Sequence, residues 1–323
     1  MTPVRFRILL AACLISGPVA TVQAAGSAMD WLMKMSAAVQ KHNYDGTFIY
    51  RHGDQIEAMR IVHQAKNGTS RERLVSLNGE AREIIRNERD VICYLPDKKS
   101  VVIEHRKTGE KNFPALLPEK LDVVTSNYKV GLGGSDRVAT RKARMVFVKP
   151  RDGFRYGYQL WADEQTGLLL KANLINEERE IVEQFMFTQI EIGGPIKPGD
   201  LDPRYSGKKW VWHREPEASS KAVSDKRWTA AKLPRGYRLT RQMARHLPTR
   251  DMVVEHLVYS DGLAVVSVFI EPQGSGSAKP MTGSTGMGAV NAFGAMVNGH
   301  QVTVVGEVPA ATVTMIGQSI EYR

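Results

Sequence analysis

The side chains best equipped for chemistry in this chain are its eight histidines and a scatter of carboxylates among basic residues. At Glu104-His105 and Glu255-His256 an acid adjoins an imidazole, but successive strand residues point to opposite faces, so neither pair suits a triad or a shared metal. The sequence contains no G-x-S-x-G elbow, no H-E-x-x-H helix and no paired-cysteine knuckle. We therefore expect no enzyme, no metal site and no cofactor, with an acid pair of the glycosidase kind left open.

The first 24 residues have the three parts of an export signal. Arg5 and Arg7 precede an apolar stretch at residues 8–20 that is too short to span a bilayer, and small residues lead to Ala24. We expect cleavage after Ala24 and, in a bacterium, a periplasmic location, which argues against nucleic acid, ATP and nicotinamide cofactors as partners. A lipoprotein-type cut before Cys13 is the alternative, although only a short apolar run precedes that cysteine.

The remaining chain has the length of about two domains. Cys93 is its only cysteine, so no internal disulfide can hold it together. The thiol lies in a β-type run, which favours a buried structural role over a nucleophile. We expect a first domain at 25–200, a basic linker at 201–227 and a second domain at 228–323.

Apolar residues at helical spacing predict an amphipathic helix over residues 29–43. About ten short runs rich in Val, Ile, Phe and Tyr follow between residues 47 and 192, separated by turn residues. Strands without intervening helices predict one antiparallel, strongly curved sheet or open barrel, in a mainly β or α+β protein. A helical insert at 114–127, ending before the glycine-rich residues 131–134, is expected across the open side of the sheet.

The last hundred or so residues predict a smaller α+β domain with an antiparallel sheet. Strand-like runs surround the turns at Asp261-Gly262 and Asn298-Gly299, and a short helix is predicted over residues 310–316. The glycine- and serine-rich residues 274–288 lack the lysine of a phosphate-binding loop, so we expect a mobile loop there.

Two features of the chain suit binding. A curved sheet with an apolar inner face leaves a groove for acyl chains if its helices fill the concavity incompletely; complete filling is the alternative. Residues 204–250 contain thirteen lysines and arginines against three carboxylates, which suits an acidic protein or anionic lipid, unless part of the segment is a solvated linker. Within it, Trp210 and Trp212 alternate along a strand beside cations and suit either an amphipathic anchor or a packed domain junction.

Several blocks of the sequence are similar to those of one protein family. They are N-Y-D-G-T-F-I-Y at 43–50, M-R-I-V-H at 59–63, the run 71–86 that begins R-E-R-L-V-S-L-N-G, C-Y-L-P-D at 93–97 and Y-S-D-G-L at 259–263. These blocks resemble the MucB/RseB family, whose members are periplasmic negative regulators of an envelope-stress sigma factor. The similarity runs over essentially the whole chain.

The resemblance implies a first domain shaped like the lipoprotein carriers of the periplasm, an open β-barrel with helices inside it, and a smaller C-terminal domain. It also implies binding to the periplasmic part of a membrane-spanning anti-sigma factor, which shields that protein from the stress protease. Release is expected when mislocalised lipid or lipopolysaccharide binds. A lipoprotein or lipid carrier is the alternative function, although carriers consist of the first domain alone, and an exported hydrolase is a second alternative.

On this basis we assign candidate residues to two binding roles. The groove for an amphiphile is expected to be lined by Phe48, Tyr50, Met59, Ile61, Leu74 and Ile84. Apolar anchoring at the domain junction is assigned to Trp210 and Trp212, and contact with anionic groups to Arg235, Arg238, Arg241 and Arg245. The expected partners are the anti-sigma factor and an amphiphilic lipid or lipopolysaccharide, without nucleic acid, and a homo-oligomer is left open.

Overall fold

A computed structural model describes residues 27–106, 122–205, 210–214, 220–222, 227–247, 252–273 and 280–323. The expected signal peptide, with Cys13, lies outside these residues, so cleavage after Ala24 stays a prediction. Within the described residues, no helix is both long enough and apolar enough to cross a bilayer.

The N-terminal half of the chain forms a helix followed by a twelve-stranded sheet. Its elements are α1 (Ala28–Lys41), β1 (Tyr44–His52), β2 (Gln55–Lys66), β3 (Thr69–Ser76), β4 (Glu83–Arg86), β5 (Asp90–Leu95), β6 (Ser100–His105), α2 (Asp122–Asn127), β7 (Tyr128–Val138), β8 (Arg141–Pro150), β9 (Gly157–Asp163), β10 (Leu169–Ile175), β11 (Ile181–Ile192) and β12 (Val211–Arg214).

The strands of this sheet lie in the order β12-β6-β5-β4-β3-β2-β1-β11-β10-β9-β8-β7. Neighbours pair antiparallel, except that β12 pairs parallel with β6. The order has two ends, at β12 and β7, so the sheet is open and not a closed barrel. The expected open, mainly antiparallel architecture is confirmed.

Helix α1 covers one face of this sheet, which we call the inner face. Ser27 caps the helix: its Oγ accepts from the Asp30 N–H at 3.1 Å, and the Asp30 carboxylate accepts from the Ser27 N–H at 2.7 Å. Leu32, Met35 and Val39 are buried in a core shared with residues of β1–β3 and β7–β11. The predicted helix is confirmed, with bounds of 28–41 instead of 29–43.

The opposite face, which we call the outer face, carries a smaller core. Tyr94, Val101 and Ile103 of β5 and β6 are buried there, and Tyr205 and Trp210 pack against them. The chain that leaves the first sheet therefore crosses its outer face before it adds β12 to the edge.

The described residues of the C-terminal part form a seven-stranded antiparallel sheet, a two-stranded sheet and one helix. Its elements are β13 (Ser220–Ala222), β14 (Trp228–Ala230), β15 (Arg238–Leu247), β16 (Met252–Ser260), β17 (Val265–Pro272), β18 (Gly283–Met287), β19 (Val290–Val297), β20 (His300–Gly306), α3 (Ala310–Gln318) and β21 (Ile320–Tyr322). The larger sheet has the order β13-β15-β16-β17-β20-β19-β18, and β14 pairs with β21. Val313 and Ile316 of α3 pack into the core on one face of the larger sheet, and the expected α+β unit is confirmed.

The glycine-rich residues 131–134, which the sequence assigned to no strand, lie inside β7. A Cβ at Gly131 would clash with the Phe147 ring on neighbouring β8. Glycine usually weakens a strand, but here it makes room for the large side chain on the neighbouring strand. Of the expected insert at 114–127, the described part is the helix α2, and the rest lies outside the described residues.

The expectation of a mobile loop over residues 274–288 is wrong for its second half. Gly283–Met287 forms β18 and pairs along its length with β19. Pairing with an existing edge has overridden the low strand propensity of its glycines, as tertiary context commonly does. Residues 274–279 lie outside the described residues.

The stretch expected as a linker, residues 201–227, is partly built into both sheets. Strand β12 joins the first sheet, and β13 pairs with β15 of the second. The expected boundaries at 200 and 227 stay predictions.

Candidate functional site

The strand register places all six expected groove residues on the inner face of the first sheet. Phe48 pairs with Met59, and Leu74 pairs with Ile84, and directly paired residues share a face. Tyr50 and Ile84 are partly buried against the core that α1 completes. The other four are buried: Phe48, Met59, Ile61 and Leu74. Over β1–β3 the concavity is therefore largely filled by α1, and lipid contact by these residues stays a prediction.

The inner face is less covered where it continues onto β4, β5 and β6. Ile84, Cys93 and Val102 form a row across these strands, and each is only partly buried. Val91 and Leu95 share the inner face of β5 with Cys93 and are also partly buried. Burial raises the pKa of the Cys93 thiol, which suits an apolar lining and not a reactive thiolate. This row is apolar inner surface that remains partly open to solvent.

A buried histidine fastens α1 to the sheet. His63 Nδ1 lies 3.0 Å from Glu72 Oε1, and its Nε2 lies 2.8 Å from the carbonyl oxygen of Val39 in the last turn of α1. Both ring nitrogens therefore lie within hydrogen-bonding distance of an oxygen that can accept. Arg86 donates to the second Glu72 oxygen at 3.0 Å, and the Tyr44 ring stacks on His63 at 4.5 Å. This cluster holds the C-terminal end of α1 on β2, β3 and β4.

Trp210 and Trp212 lie on the outer face of the first sheet, beside β5 and β6. Their rings contact the Tyr94 ring at centroid distances of 6.4 and 6.3 Å, and Trp210 also lies 5.9 Å from Tyr205. Trp210 is thus part of the outer-face core, whereas Trp212 remains 50% exposed. Their expected role as anchors for a partner stays a prediction, with Trp212 the better placed of the two.

Three of the four expected anion-binding arginines, Arg238, Arg241 and Arg245, lie on β15. Arg238 and Arg241 pair with residues of β16 that alternate with the core residues of that strand, so they share the face of the second sheet opposite α3. Both are exposed. Arg235 lies instead in the turn before β15, where its carbonyl oxygen accepts from Arg155 of the first domain at 2.6 Å. Arg235 therefore lies outside the strand that carries the other three.

A buried ion pair joins the two sheets. Arg155, just before β9, and Asp261, just after β16, have fully buried side chains, and Nη1 lies 3.1 Å from Oδ2. Tyr128 donates its hydroxyl to the same Asp261 oxygen at 2.9 Å. Burial and the neighbouring Asp261 charge raise the pKa of Tyr128, so it remains a donor. The guanidinium also lies over the rings of Tyr128 and Tyr237, at 5.6 and 5.1 Å.

The segment around this arginine makes further contacts with the second domain. The Phe154 carbonyl oxygen accepts from the Tyr237 hydroxyl at 3.1 Å and from the Thr312 hydroxyl at 2.7 Å. Asn291 donates to the Tyr156 hydroxyl at 3.1 Å. Sequence analysis missed this junction, because no motif marks the segment between β8 and β9 and its partners lie 80 to 158 residues away.

A small acidic cleft of about 220 Å³ lies beside the same junction. Glu183 accepts from the Tyr50 hydroxyl at 2.7 Å and lies 2.8 Å from His52 Nδ1. Glu57 and Glu307 also line the cleft, so its carboxylates oppose the entry of a phosphate. Among the described residues, no group of three or more His, Cys, Asp or Glu side chains is arranged to hold a metal ion.

Comparison with known proteins agrees with the resemblance seen in the sequence. The model of the MucB/RseB N-terminal domain matches residues 27–205, and that of the MucB/RseB C-terminal domain matches residues 222–321. The chain is 33% identical over 300 residues to the sigma factor AlgU regulatory protein MucB of Pseudomonas aeruginosa, covering 92% of this chain and 91% of MucB.

Two solved structures of MucB are similar to this chain over almost their whole length. The complex of Pseudomonas aeruginosa MucA and MucB gives a TM-score of 0.72, with 30% identity over 92% of this chain and 99% of that chain. MucB in complex with MucA(peri) gives a TM-score of 0.71, with the same identity and coverage. Members of the family regulate sigma factors by binding and are not enzymes. Because both domain models match and MucB is similar over nine tenths of the chain, this chain belongs to the MucB/RseB family.

Proposed function

We propose that this protein is a periplasmic regulator that binds the periplasmic part of a membrane anti-sigma factor. Binding shields that part from the stress protease and so keeps the sigma factor inactive. The observation that carries the proposal is the similarity, over 92% of the chain, to MucB solved in complex with MucA. The sequence features of an export signal at residues 1–24 support the periplasmic location.

We further propose that the first domain senses mislocalised lipid or lipopolysaccharide. Supporting this, the apolar row of Ile84, Cys93 and Val102 on the inner face is only partly buried, and a concave apolar surface suits acyl chains. The acyl part would extend from this row toward α1. The anionic part of the amphiphile needs basic side chains, and the described lining of the acidic cleft at Glu183 contains no lysine or arginine.

Regulation requires the two ligands to be thermodynamically linked. The amphiphile can release the anti-sigma factor only if it binds the partner-free arrangement more tightly. To move the protein from mostly bound to mostly free, that difference in binding free energy must reach about 5 kcal/mol. The buried ion pair of Arg155 and Asp261 supports such linkage, because it connects the domain with the groove to the domain with the basic strand.

Binding of the partner is tested by titrating the purified mature protein with MucA(peri) in a calorimeter. We expect saturable binding at one site. Charge reversal at Arg238 and Arg241 together is expected to weaken it by about tenfold, because exposed arginines on one strand attract an acidic segment. Equal affinity of this variant at low salt would remove β15 from the site, and no binding by the unaltered protein would contradict the function itself.

Binding of the amphiphile is tested through Cys93, the only cysteine of the expected mature chain. Saturating lipopolysaccharide is expected to slow maleimide labelling of Cys93 by about tenfold, because an acyl chain on the row covers the thiol. The control is Leu77→Cys in a Cys93→Ser background, since residue 77 is 53% exposed at the end of β3. Equal slowing at both positions, or at neither, would contradict a groove at this row.

A lipid or lipoprotein carrier remains the second candidate, because the same partly open row would suit transport. The junction favours the regulator, since a carrier has no need of a second domain held by a buried ion pair. The two are separated by measuring transfer of a fluorescent lipid between vesicles. A carrier accelerates transfer catalytically, whereas the regulator binds lipid and loses MucA(peri).

A further inference from the structure

The acidic cleft at Glu183 is lined by residues of both domains. The first domain contributes residues of β1, β2 and β11, which are Tyr50, His52, Gln55, Glu57 and Glu183. The second domain contributes Val290, the first residue of β19, and Glu307, which directly follows β20. The cleft therefore forms only where the domains are docked, and docking brings the carboxyl of Glu307 to two carboxyls of the first domain.

The Glu183 side chain is positioned by the first domain alone. One of its oxygens accepts from the Tyr50 hydroxyl at 2.7 Å, and the other lies 2.8 Å from His52 Nδ1. Burial and the hydrogen bond to Glu183 raise the pKa of Tyr50, so that hydroxyl remains a donor. The Glu183 side chain is only 11% exposed. A negative charge is thus already in place in the wall against which the second domain docks.

The second domain meets this wall through the turn between β18 and β19. A Cβ at Gly288 in this turn would clash with the His52 ring, so only glycine allows the approach. The next residue, Ala289, is fully buried in a small core with Tyr156 and Leu174 of the first domain. The turn is therefore packed against the first domain without space for a side chain at residue 288.

The same contact brings Glu307 into the cleft. Gly306 pairs with Asn291 at the start of β19, so the residue after β20 follows the position of the turn. Burial and the negative charge of Glu183 raise the pKa of the Glu307 carboxyl, and positive charge on His52 opposes this rise only in part. The Glu307 carboxyl is therefore protonated more readily in the docked arrangement than when the domains are apart.

The other groups that face Glu307 do not remove this repulsion. Glu57 already has a partner, since it lies 2.6 Å from the Arg82 guanidinium. Tyr158 stays neutral, because burial and the nearby carboxylates raise the pKa of its hydroxyl. A second proton on the His52 ring would act in the same direction as a proton on Glu307, because it adds positive charge between two carboxylates.

We propose that the two domains of this protein dock more tightly in acid than at neutral pH, because Glu307 enters a cleft that already holds the Glu183 carboxylate. A carboxyl whose pKa is higher in the docked state takes up a proton on docking. Its contribution to docking is complete below the ordinary pKa of a glutamate and is lost as pH rises through the higher value. This contact requires neither ligand of the proposed function and adds the proton as a third.

Docking is tested by labelling a cysteine placed at the contact. In an Ala289→Cys, Cys93→Ser variant, maleimide reaches residue 289 only when the domains part. Dividing each rate by that of the urea-unfolded chain at the same pH corrects for ionisation of the thiol. We expect the corrected rate to rise about tenfold between about pH 5 and about pH 7.5. Adding Glu307→Gln should abolish the rise, and the control Glu88→Gln, at an exposed carboxyl in the turn between β4 and β5, should leave it.

Urea unfolding tests the same contact without a cysteine at the buried position. At about pH 7.5 Glu307→Gln is expected to raise the urea midpoint, because it removes repulsion from Glu183, and at about pH 4.5 the gain should vanish. A lower midpoint at both pH values would show a structural contact instead and would overturn the proposal. So would a corrected labelling rate that does not change with pH, or a change that Glu307→Gln leaves in place. Neither measurement contains MucA(peri) or lipopolysaccharide, so these outcomes leave the proposed function standing.

Discussion

At the scale of single residues, several polar and charged side chains of the first sheet find their partners across neighbouring strands. His105 illustrates this: its sequence neighbour Glu104 is excluded as a partner by strand geometry, as expected, but its Nδ1 lies 2.7 Å from Asp90 on β5. The sequence predicted which adjacent pairs do not interact, because alternation along a strand is a local rule. It could not predict pairs such as His63 with Glu72, since those depend on register.

Asp163 offers a quantitative test at this scale. It accepts from Arg141 at 2.8 and 3.1 Å and from the Thr166 N–H and hydroxyl at 2.9 and 2.8 Å. Burial alone raises the pKa of Asp163, but these hydrogen bonds outweigh it and hold the pKa below its usual value. Asp163→Asn is expected to lower the free energy of unfolding by about 2 kcal/mol at pH 7.

The pH dependence of that loss follows from the direction of the shift. A carboxyl whose pKa is lower in the folded state stabilises the fold above the pKa of the unfolded chain, and this stability is lost as pH falls through the folded pKa. Urea unfolding at pH 7 and at about pH 3 should therefore show the difference between Asp163→Asn and the unaltered protein shrinking on acidification. A difference that stays constant would contradict the assignment.

At the scale of elements, apolar periodicity predicted the regular helix and strands, and it missed features that depend on a side chain of a neighbouring strand. Helix α1 was predictable because its apolar residues recur at helical spacing and Ser27 begins a capping box. Strand β7 could not be predicted over its glycine-rich part, because the need for Gly131 becomes clear only from the Phe147 ring beside it. The six groove positions could be assigned to one face by alternation, but how far α1 fills that face required the structure.

The fit of α1 against the inner face can be measured by truncating one side chain. Leu32 is fully buried in the core of the first domain, so Leu32→Ala is expected to lower the free energy of unfolding by about 3 kcal/mol through lost burial and a cavity. The control is the adjacent Met33→Ala, which removes a side chain that is 50% exposed and should change stability by less than about 0.5 kcal/mol. Equal losses in urea unfolding would contradict the placement of α1.

At the scale of the whole molecule, the two-domain organisation was visible in composition and turns, but the junction was not. Arg155 and Asp261 lie far apart in the sequence and resemble ordinary turn residues, so nothing local marks them as a buried pair. The basic stretch at 204–250 was found from charge counting alone, yet the structure distributes its described residues among the outer face, strands β12–β15 and the turn before β15.

Loss of the buried pair should loosen the two domains. Asp261→Asn removes the buried counter-charge of Arg155 and leaves it only the partly exposed Asp152, 3.2 Å from Nε. We expect a cost of about 3 kcal/mol and separation of the domains. Small-angle scattering should report a larger radius of gyration, while circular dichroism stays unchanged. Asp202→Asn is the control, because that side chain is 63% exposed. An unchanged radius for Asp261→Asn would mean that other contacts fix the arrangement.

The most direct test of the whole account is the affinity of MucA(peri) measured with and without saturating lipopolysaccharide. The account predicts that saturating lipopolysaccharide lowers the affinity for MucA(peri) by about 10⁴-fold, the factor that release requires. It predicts an equal fall in lipopolysaccharide affinity when MucA(peri) is present, because linkage is reciprocal. Two independent affinities, each unaffected by the other ligand, would contradict the claim that this protein releases its partner on sensing an amphiphile.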